Sequence, residues 1–230
     1  MDNEFVYSGR DNLETMREAR NYNDFLTFLV LNIGLDTGYK ILDIGSGVGL
    51  YAEILRNKGY HIFCIEPDVL QAELLQQKGF QVYSSVNKIE NQIDVMYALN
   101  VLEHIEDDVY ELSIWKTKLK EKGKLLIYVP AFHILFSSMD SKVKHFRRYT
   151  RKLLTQKVTE AGFKIVKPAQ YADSLGFFAT LIYKLFGSKK GNINTKFLIF
   201  YDRFLFPISK ICDIFFRKVF GKNVFIIVEK

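Results

Sequence analysis

Cysteine is scarce in this 230-residue chain, and the two present, Cys64 and Cys212, stand far apart inside apolar runs. No C-x-x-C or Cys/His cluster occurs, which excludes a sequence-encoded zinc module and a disulfide framework and suits a reducing compartment. Proline is limited to four residues, and no Pro/Gly/Ser-rich linker, low-complexity tract or repeat divides the chain. No uninterrupted apolar stretch reaches the roughly 18 residues of a membrane span. Residues 1–10 are polar and carry no apolar signal segment, so a cytoplasmic location is expected. These absences leave one sizeable domain, in keeping with 48% hydrophobic residues.

Negative charge is also in deficit: 26 acidic residues against 32 basic ones leave a net charge of +6. Lys142, Lys144, Arg147, Arg148, Arg151 and Lys152 form one basic group. A second runs from Lys184 to Lys222 among many Phe, Ile and Leu residues. Such groups suit nucleic acid, anionic lipid or a phosphorylated substrate as well as plain solvent.

What is present is concentrated in residues 41–49, I-L-D-I-G-S-G-V-G. An apolar run stops at three glycines separated by single residues, and a helical pattern begins at Leu50. This is the layout of a buried strand, a tight turn and a helix start. Glycine lets the backbone come close to a ligand, and a helix N-terminus presents free N–H groups to it. Gly45, Gly47 and Gly49 give G-x-G-x-G, with Leu50 where a dinucleotide fingerprint has its third glycine. Asp43, at the strand end, would repel a pyrophosphate but can hold an ammonium group such as the α-amino group of S-adenosylmethionine.

Periodicity predicts helices over residues 11–33, 50–58, Val69–Gln77, 107–119 (stopped by Gly123) and 150–161. Strands are predicted over Lys40–Ile44, His61–Ile65, 80–83, 93–98, 125–129 and 224–228, and residues 163–166 open a further one before the last. The alternation implies an α/β class, a mostly parallel sheet with helices on both faces and ligands at the carboxyl ends of the strands. The chain divides into an N-terminal helical cap (1–38), a cofactor-binding core (39–173), an insertion (174–221) and a last strand (222–230). Lys184, Asp202, Arg203, Lys210 and Asp213 interrupt the apolar runs of the insertion, which reads as two or three amphipathic helices. Their basic, Phe-rich character suits an anionic membrane face, and packing on the core or across a homodimer is the other expectation.

Glu66 closes the second strand about twenty residues after the loop, where an acid hydrogen-bonds ribose hydroxyls. Residues 98–104, A-L-N-V-L-E-H, follow the fourth strand, with Asn100 at the turn. Glu103, Glu106, Asp107 and Asp108 crowd a helix start, where the dipole stabilises acids; no metal site is expected from them.

With the I-L-D-I-G-S-G-V-G loop, the I-E-P-D turn and the A-L-N-V-L-E-H-I segment in family order, the chain resembles the class I S-adenosylmethionine-dependent methyltransferases over about residues 20–170. The resemblance implies a Rossmann-like doubly wound sheet with an antiparallel last strand. It implies S-adenosyl-L-methionine as methyl donor and S-adenosyl-L-homocysteine as product. Asp43, Gly45, Ser46, Gly47 and Gly49 would then line the methionine end, and Glu66 would hold the ribose. Pro67 and Asp68 would lie near the adenosine, Asn100 by the sulfonium, and Tyr22 would close over the cofactor. Ser84-Ser85-Val86 stands where the family often has an acid against adenine.

Residues 130–132, Ser138, Asp140 and K-H-F-R-R-Y-T at 144–150 resemble a bacterial subgroup linked to surface polysaccharide and glycolipid assembly, which commonly has glycine in place of Lys144. Asp140, Arg147, Arg148 and Tyr149 are the expected acceptor-binding residues, arginine offering forked donors to phosphate or carboxylate. His145, and after it His104, are the candidate bases. The competing expectation pairs Arg147 and Arg148 with acids of a neighbouring helix and leaves His145 a structural hydrogen-bonder. The expected function is O-methylation of a sugar, nucleotide-sugar or lipid-linked saccharide, by an enzyme peripheral on the inner face of the cell membrane. A small amine, a phospholipid or nucleic acid as acceptor, and a non-catalytic scaffold, are the alternatives. No N-P-P-Y-like motif or cysteine nucleophile follows the fourth strand, which disfavours nucleic acid.

Overall fold

In the computed structural model, which describes residues 7, 9–90, 92–187 and 189–230, the apolar run before the glycines lies at the centre of a seven-stranded sheet. Helices α1 (Arg10–Met16) and α2 (Arg20–Leu31) precede β1 (Lys40–Ile44) and α3 (Leu50–Asn57). β2 (His61–Ile65), α4 (Val69–Gln77), β3 (Gln81–Tyr83), β4 (Ile93–Leu99), α5 (Asp108–Lys118) and β5 (Leu119–Pro130) follow. After the short α6 (Ser138–Lys142) come α7 (Arg151–Glu160) and β6 (Lys164–Ala172). The insertion is α8 (Ser174–Phe186), α9 (Thr195–Phe200), a π-helical turn (Tyr201–Leu205) and α10 (Phe206–Phe216), leading into β7 (Asn223–Glu229).

The strand order is β3-β2-β1-β4-β5-β7-β6, parallel except for β7, which runs antiparallel to both neighbours. The expected α/β sheet with a reversed last strand is therefore present. Period-two alternation splits each central strand between two cores. Leu42, Ile44, Met96, Ala98, Leu125 and Ile127 face Leu112, Trp115, Leu154 and Val158 of α5 and α7. Ile41, Cys64, Val95, Tyr97, Leu126 and Tyr128 face Leu26 and Val30 of α2, Leu55 of α3 and Phe206 of α10.

Two boundaries differ from expectation. The single helix over 11–33 is two, because Arg17, Glu18 and Ala19 close α1 with short turns. The helix expected over 107–119 ends at Lys118, but β5, expected from residue 125, already begins at Leu119. Leu119 pairs with Ile93 and Lys124 with Val95, so residues 120–123 bulge from the ladder. The sixth strand, expected to open over 163–166, runs Lys164–Ala172 along the sheet edge, with Pro168 where its register to β7 shifts. Of the predicted cap, residues 1–6 and 8 lie outside the described residues.

Candidate functional site

The chain winds toward β3 after β1 and toward β6 after β4, so the loops diverge between these strands and open a crevice at their carboxyl ends. A cavity of about 530 Å³ occupies it. The glycine loop, the ends of β2 and β4, residues 139–148, Tyr7 and Lys222 wall it.

Gly45, Gly47 and Gly49 all have positive φ, 71°, 54° and 81°. A Cβ at Gly45 would lie 2.6 Å from Val101 Cγ2, and one at Gly49 2.5 Å from Leu75 Cδ2. Only glycine lets the chain turn here and still start α3, whose N-cap is Gly49. The Gly47 N–H donates to Glu66 Oε2 at 2.7 Å, and the Asp68 N–H to Glu66 Oε1 at 2.9 Å. Each carboxylate oxygen keeps a lone pair for another donor.

Asp43 is 3% exposed, lines the cavity and has Oδ2 without a partner. Burial pushes its carboxyl up to about 7, with a further contribution from nearby Glu66; the neighbouring Tyr97 and Ser46 hydroxyls oppose the rise. Gln71 Oε1 is a second orphan acceptor, close to where a Gly47 side chain would sit. A buried carboxylate with an orphan oxygen, beside a glycine-rich loop and a ribose-type acid, fits S-adenosylmethionine. Asn100, at φ 56°, and Tyr22 line the same cavity, as do Ser46 and Pro67.

A second cluster lines the same cavity. His145 Nδ1 lies 2.8 Å from Asp140 Oδ1, and Arg148 grips both oxygens of Asp140 at 2.8 and 2.9 Å. Burial works against the charge on Asp140, but the bonds from His145 and Arg148 hold its carboxyl well below the usual range. Asp140 therefore anchors the Nδ1–H tautomer and leaves Nε2 free to accept. Nε2 faces Glu103 Oε1 at 3.8 Å. Glu103 is fully buried, neither oxygen has a hydrogen-bond partner, and burial raises its carboxyl to about 7 against the pull of His145 and Arg148. His104 packs edge-on to His145 with ring centres 4.5 Å apart; burial, and then electrostatic competition with the neighbouring imidazole, lower it to about 4. Among the described residues, Glu103, His104 and His145 are also the group whose ligand atoms, all within 4.8 Å, could close on a metal ion.

Other expected site residues lie elsewhere. Arg147 donates to the Ile105 and Glu106 carbonyls and to Asp108 of α5, the neighbouring-helix pairing that was the competing expectation. The Tyr149 hydroxyl, fully buried, bonds Asp108 at 2.9 Å. Neither lines the cavity, and nor does Gly49. Asp68 caps α4 through the Gln71 N–H and is clasped by Arg10 at 2.6 Å and the Tyr7 N–H at 2.7 Å. It locks the N-terminal segment over the cavity rather than facing it.

Sequence reasoning missed Tyr7, Glu103 as a cavity carboxylate, Lys222 and Asn223. The last two enter from the start of β7, far from every motif, with Lys222 Nζ 5.8 Å from the Tyr22 ring centre and Asn223 Nδ2 unpartnered. No motif could have signalled them, since the sheet order alone brings them beside β5.

A family model described as a methyltransferase domain matches residues 13–167. Ubiquinone biosynthesis O-methyltransferases of three Xylella fastidiosa strains are 28% identical over 102 residues, 40% of this chain. The chain spans 42% of the length of these curated relatives. An S-adenosylmethionine-dependent methyltransferase from Archaeoglobus fulgidus superposes with a TM-score of 0.61 at 18% identity, covering 95% of this chain and 99% of that one. The mycolic acid cyclopropane synthase CmaA1, complexed with S-adenosylhomocysteine, gives 0.62 at 16% identity over 90% and 84%. At these identities the two structures speak for the fold alone.

Proposed function

We propose that this chain, which belongs to the methyltransferase-domain family, transfers a methyl group from S-adenosylmethionine to a hydroxyl oxygen of an amphiphilic acceptor such as a lipid-linked saccharide. The observation that carries this reading is the line Asp140–His145–Glu103 in the cavity that Asp43, the glycine loop and Asn100 also line. When bound, S-adenosylmethionine supplies an electrophilic methyl group. Asp43, Gly45, Gly47, Glu66 and Asn100 would hold it. A hydroxyl is a poor nucleophile until its proton has somewhere to go, and His145 Nε2 is an acceptor already oriented for that transfer. Asp140, kept ionised by Arg148, stabilises the imidazolium that results, and Glu103 faces the same ring. The enclosing walls orient the acceptor and limit water. The named activity of the Xylella relatives supports transfer to oxygen.

The test is His145→Ala, assayed with methyl-labelled donor on hydroxyl-bearing saccharide and lipid acceptors. Turnover should fall at least about 100-fold, the scale of a general base, while S-adenosylhomocysteine binds as in the parent. Unaltered turnover removes His145 from the reaction, and label found only on nitrogen overturns the oxygen assignment.

A further inference from the structure

Fourteen of the large hydrophobic side chains exposed on the described residues fall between Phe178 and Val219. They are ordered. Residues 195–216 form one continuous helical run through α9, the π-turn and α10. Phe197, Phe200, Phe204, Ile208, Ile211 and Phe215 recur along it at intervals of three or four, and Val219 continues the row just beyond, each at least half exposed. On α8, Phe178, Ile182, Leu185 and Phe186 repeat the spacing, with Phe186 84% exposed. Spacings of three and four align side chains on one helix face.

A basic row runs beside this stripe. Lys196, Arg203, Lys210 and Arg217 recur every seven residues, each directly before or close to a stripe residue, and all are exposed. The helix cannot roll the stripe inward, because its other face is hooked down by polar groups. Asp202 accepts the Asn21 and Tyr22 N–H groups at the start of α2. Asp213 accepts the Asp173 and Ser174 N–H groups at the start of α8, and buried Ser209 donates to Asp173. No helix among the described residues is long and apolar enough to cross a membrane.

We infer that the α8–α10 insertion docks in the plane of an anionic phospholipid bilayer, its phenylalanines and isoleucines among the acyl chains and its basic row at the headgroups. An apolar stripe flanked by lysine and arginine, on a helix too charged to span, is the physical signature of such interfacial elements. Like-charged basic rows would repel across a symmetric contact between two copies, whereas lipid phosphates neutralise them. The surface is separate from the methyl-transfer cluster. Yet Ile193, between α8 and α9, and Lys222, after α10, both line the cavity, so a docked insertion brings its mouth to the lipid.

The full chain should be sedimented with phosphatidylcholine vesicles and with vesicles containing 30% phosphatidylglycerol. Pelleting is expected with the anionic vesicles at low salt, at least tenfold above the neutral ones, with release as salt rises. Phe204→Asp/Ile211→Asp/Phe215→Asp should abolish it, and Lys196→Gln/Arg203→Gln/Lys210→Gln/Arg217→Gln should remove the preference for anionic lipid. Both variants should keep the parent melting temperature and S-adenosylhomocysteine affinity, which shows them folded. His145→Ala should pellet like the parent whatever its turnover, which separates this inference from the reading of the active site. Absence of pelleting on anionic vesicles overturns it. So does a concentration-dependent dimer in analytical ultracentrifugation that the triple aspartate variant dissolves, which would assign the face to a second copy of the chain.

Discussion

Asp43→Asn tests the cofactor assignment through a charge that burial disfavours. Burial lifts the Asp43 carboxyl from 3.8 to about 7, a difference worth about 4 kcal/mol at roughly 1.4 kcal/mol per unit. The sign follows from proton counts. Between pH 4 and 7 the unfolded chain has lost this proton and the folded chain still holds it, so folded stability declines as pH rises through that window and levels off above 7. Asparagine removes the decline. The variant should melt higher than the parent at pH 7.5, by at most the equivalent of about 4 kcal/mol, with the gain shrinking toward pH 4. Ligand binding should go the other way. An ammonium group placed on Oδ2 stabilises the ionised carboxylate. With a carboxyl at about 7, roughly a tenth is ionised at pH 6 and three quarters at pH 7.5, so parent affinity for S-adenosylhomocysteine should rise about eightfold over that range. Calorimetry in buffers of different ionisation heat should show proton release at pH 6.5, and Asp43→Asn should lose both the slope and the release. Flat parent affinity from pH 6 to 7.5 would refute the ammonium role. A slope that persists in the asparagine variant would move it to Glu66, whose carboxyl burial also raises.

Other substitutions separate structural from functional residues. Gly49→Ala should cost about 1–3 kcal/mol in denaturant unfolding, because φ is 81° and the new Cβ meets Leu75 in a closed core. Tyr149→Phe should lower stability by about 1–2 kcal/mol through the lost bond to Asp108, with acceptor KM unchanged; a raised KM would restore its acceptor role. Glu103→Gln removes a buried carboxyl standing at about 7. Its parent loses stability as pH rises from about 4.5 to 7, so the variant's melting temperature should gain on the parent's more at pH 8 than at pH 5, while turnover falls.

Local rules carried much of the outcome. The strand ends, the glycine turn and the acid closing β2 are short-range features, each specified by residues within a few positions, and β1, β2 and α4 lie where periodicity put them. Residues 120–123 escaped because a bulge depends on the partner strand and leaves no periodic trace. The K-H-F-R-R-Y-T segment is the clearest case of a pattern that local reasoning leaves undivided. Adjacent residues point to opposite sides, so Arg148 enters the cavity and Arg147 is spent on α5. Which of the two does so depends on Asp140 and Asp108, brought there by elements far apart in the chain.

The sequence by itself determined the sheet, the glycine cradle for the methyl donor and the family, because backbone conformation at a tight turn and the alternation of buried residues are local consequences of residue type. Only the tertiary structure decided which polar groups meet: Glu103 against His145, Lys222 over the Tyr22 ring, and Asp202 and Asp213 pinning the insertion so that its apolar stripe faces out. Those meetings are set by strand order and by which desolvated groups find partners across long chain separations, and neither is encoded at any single position.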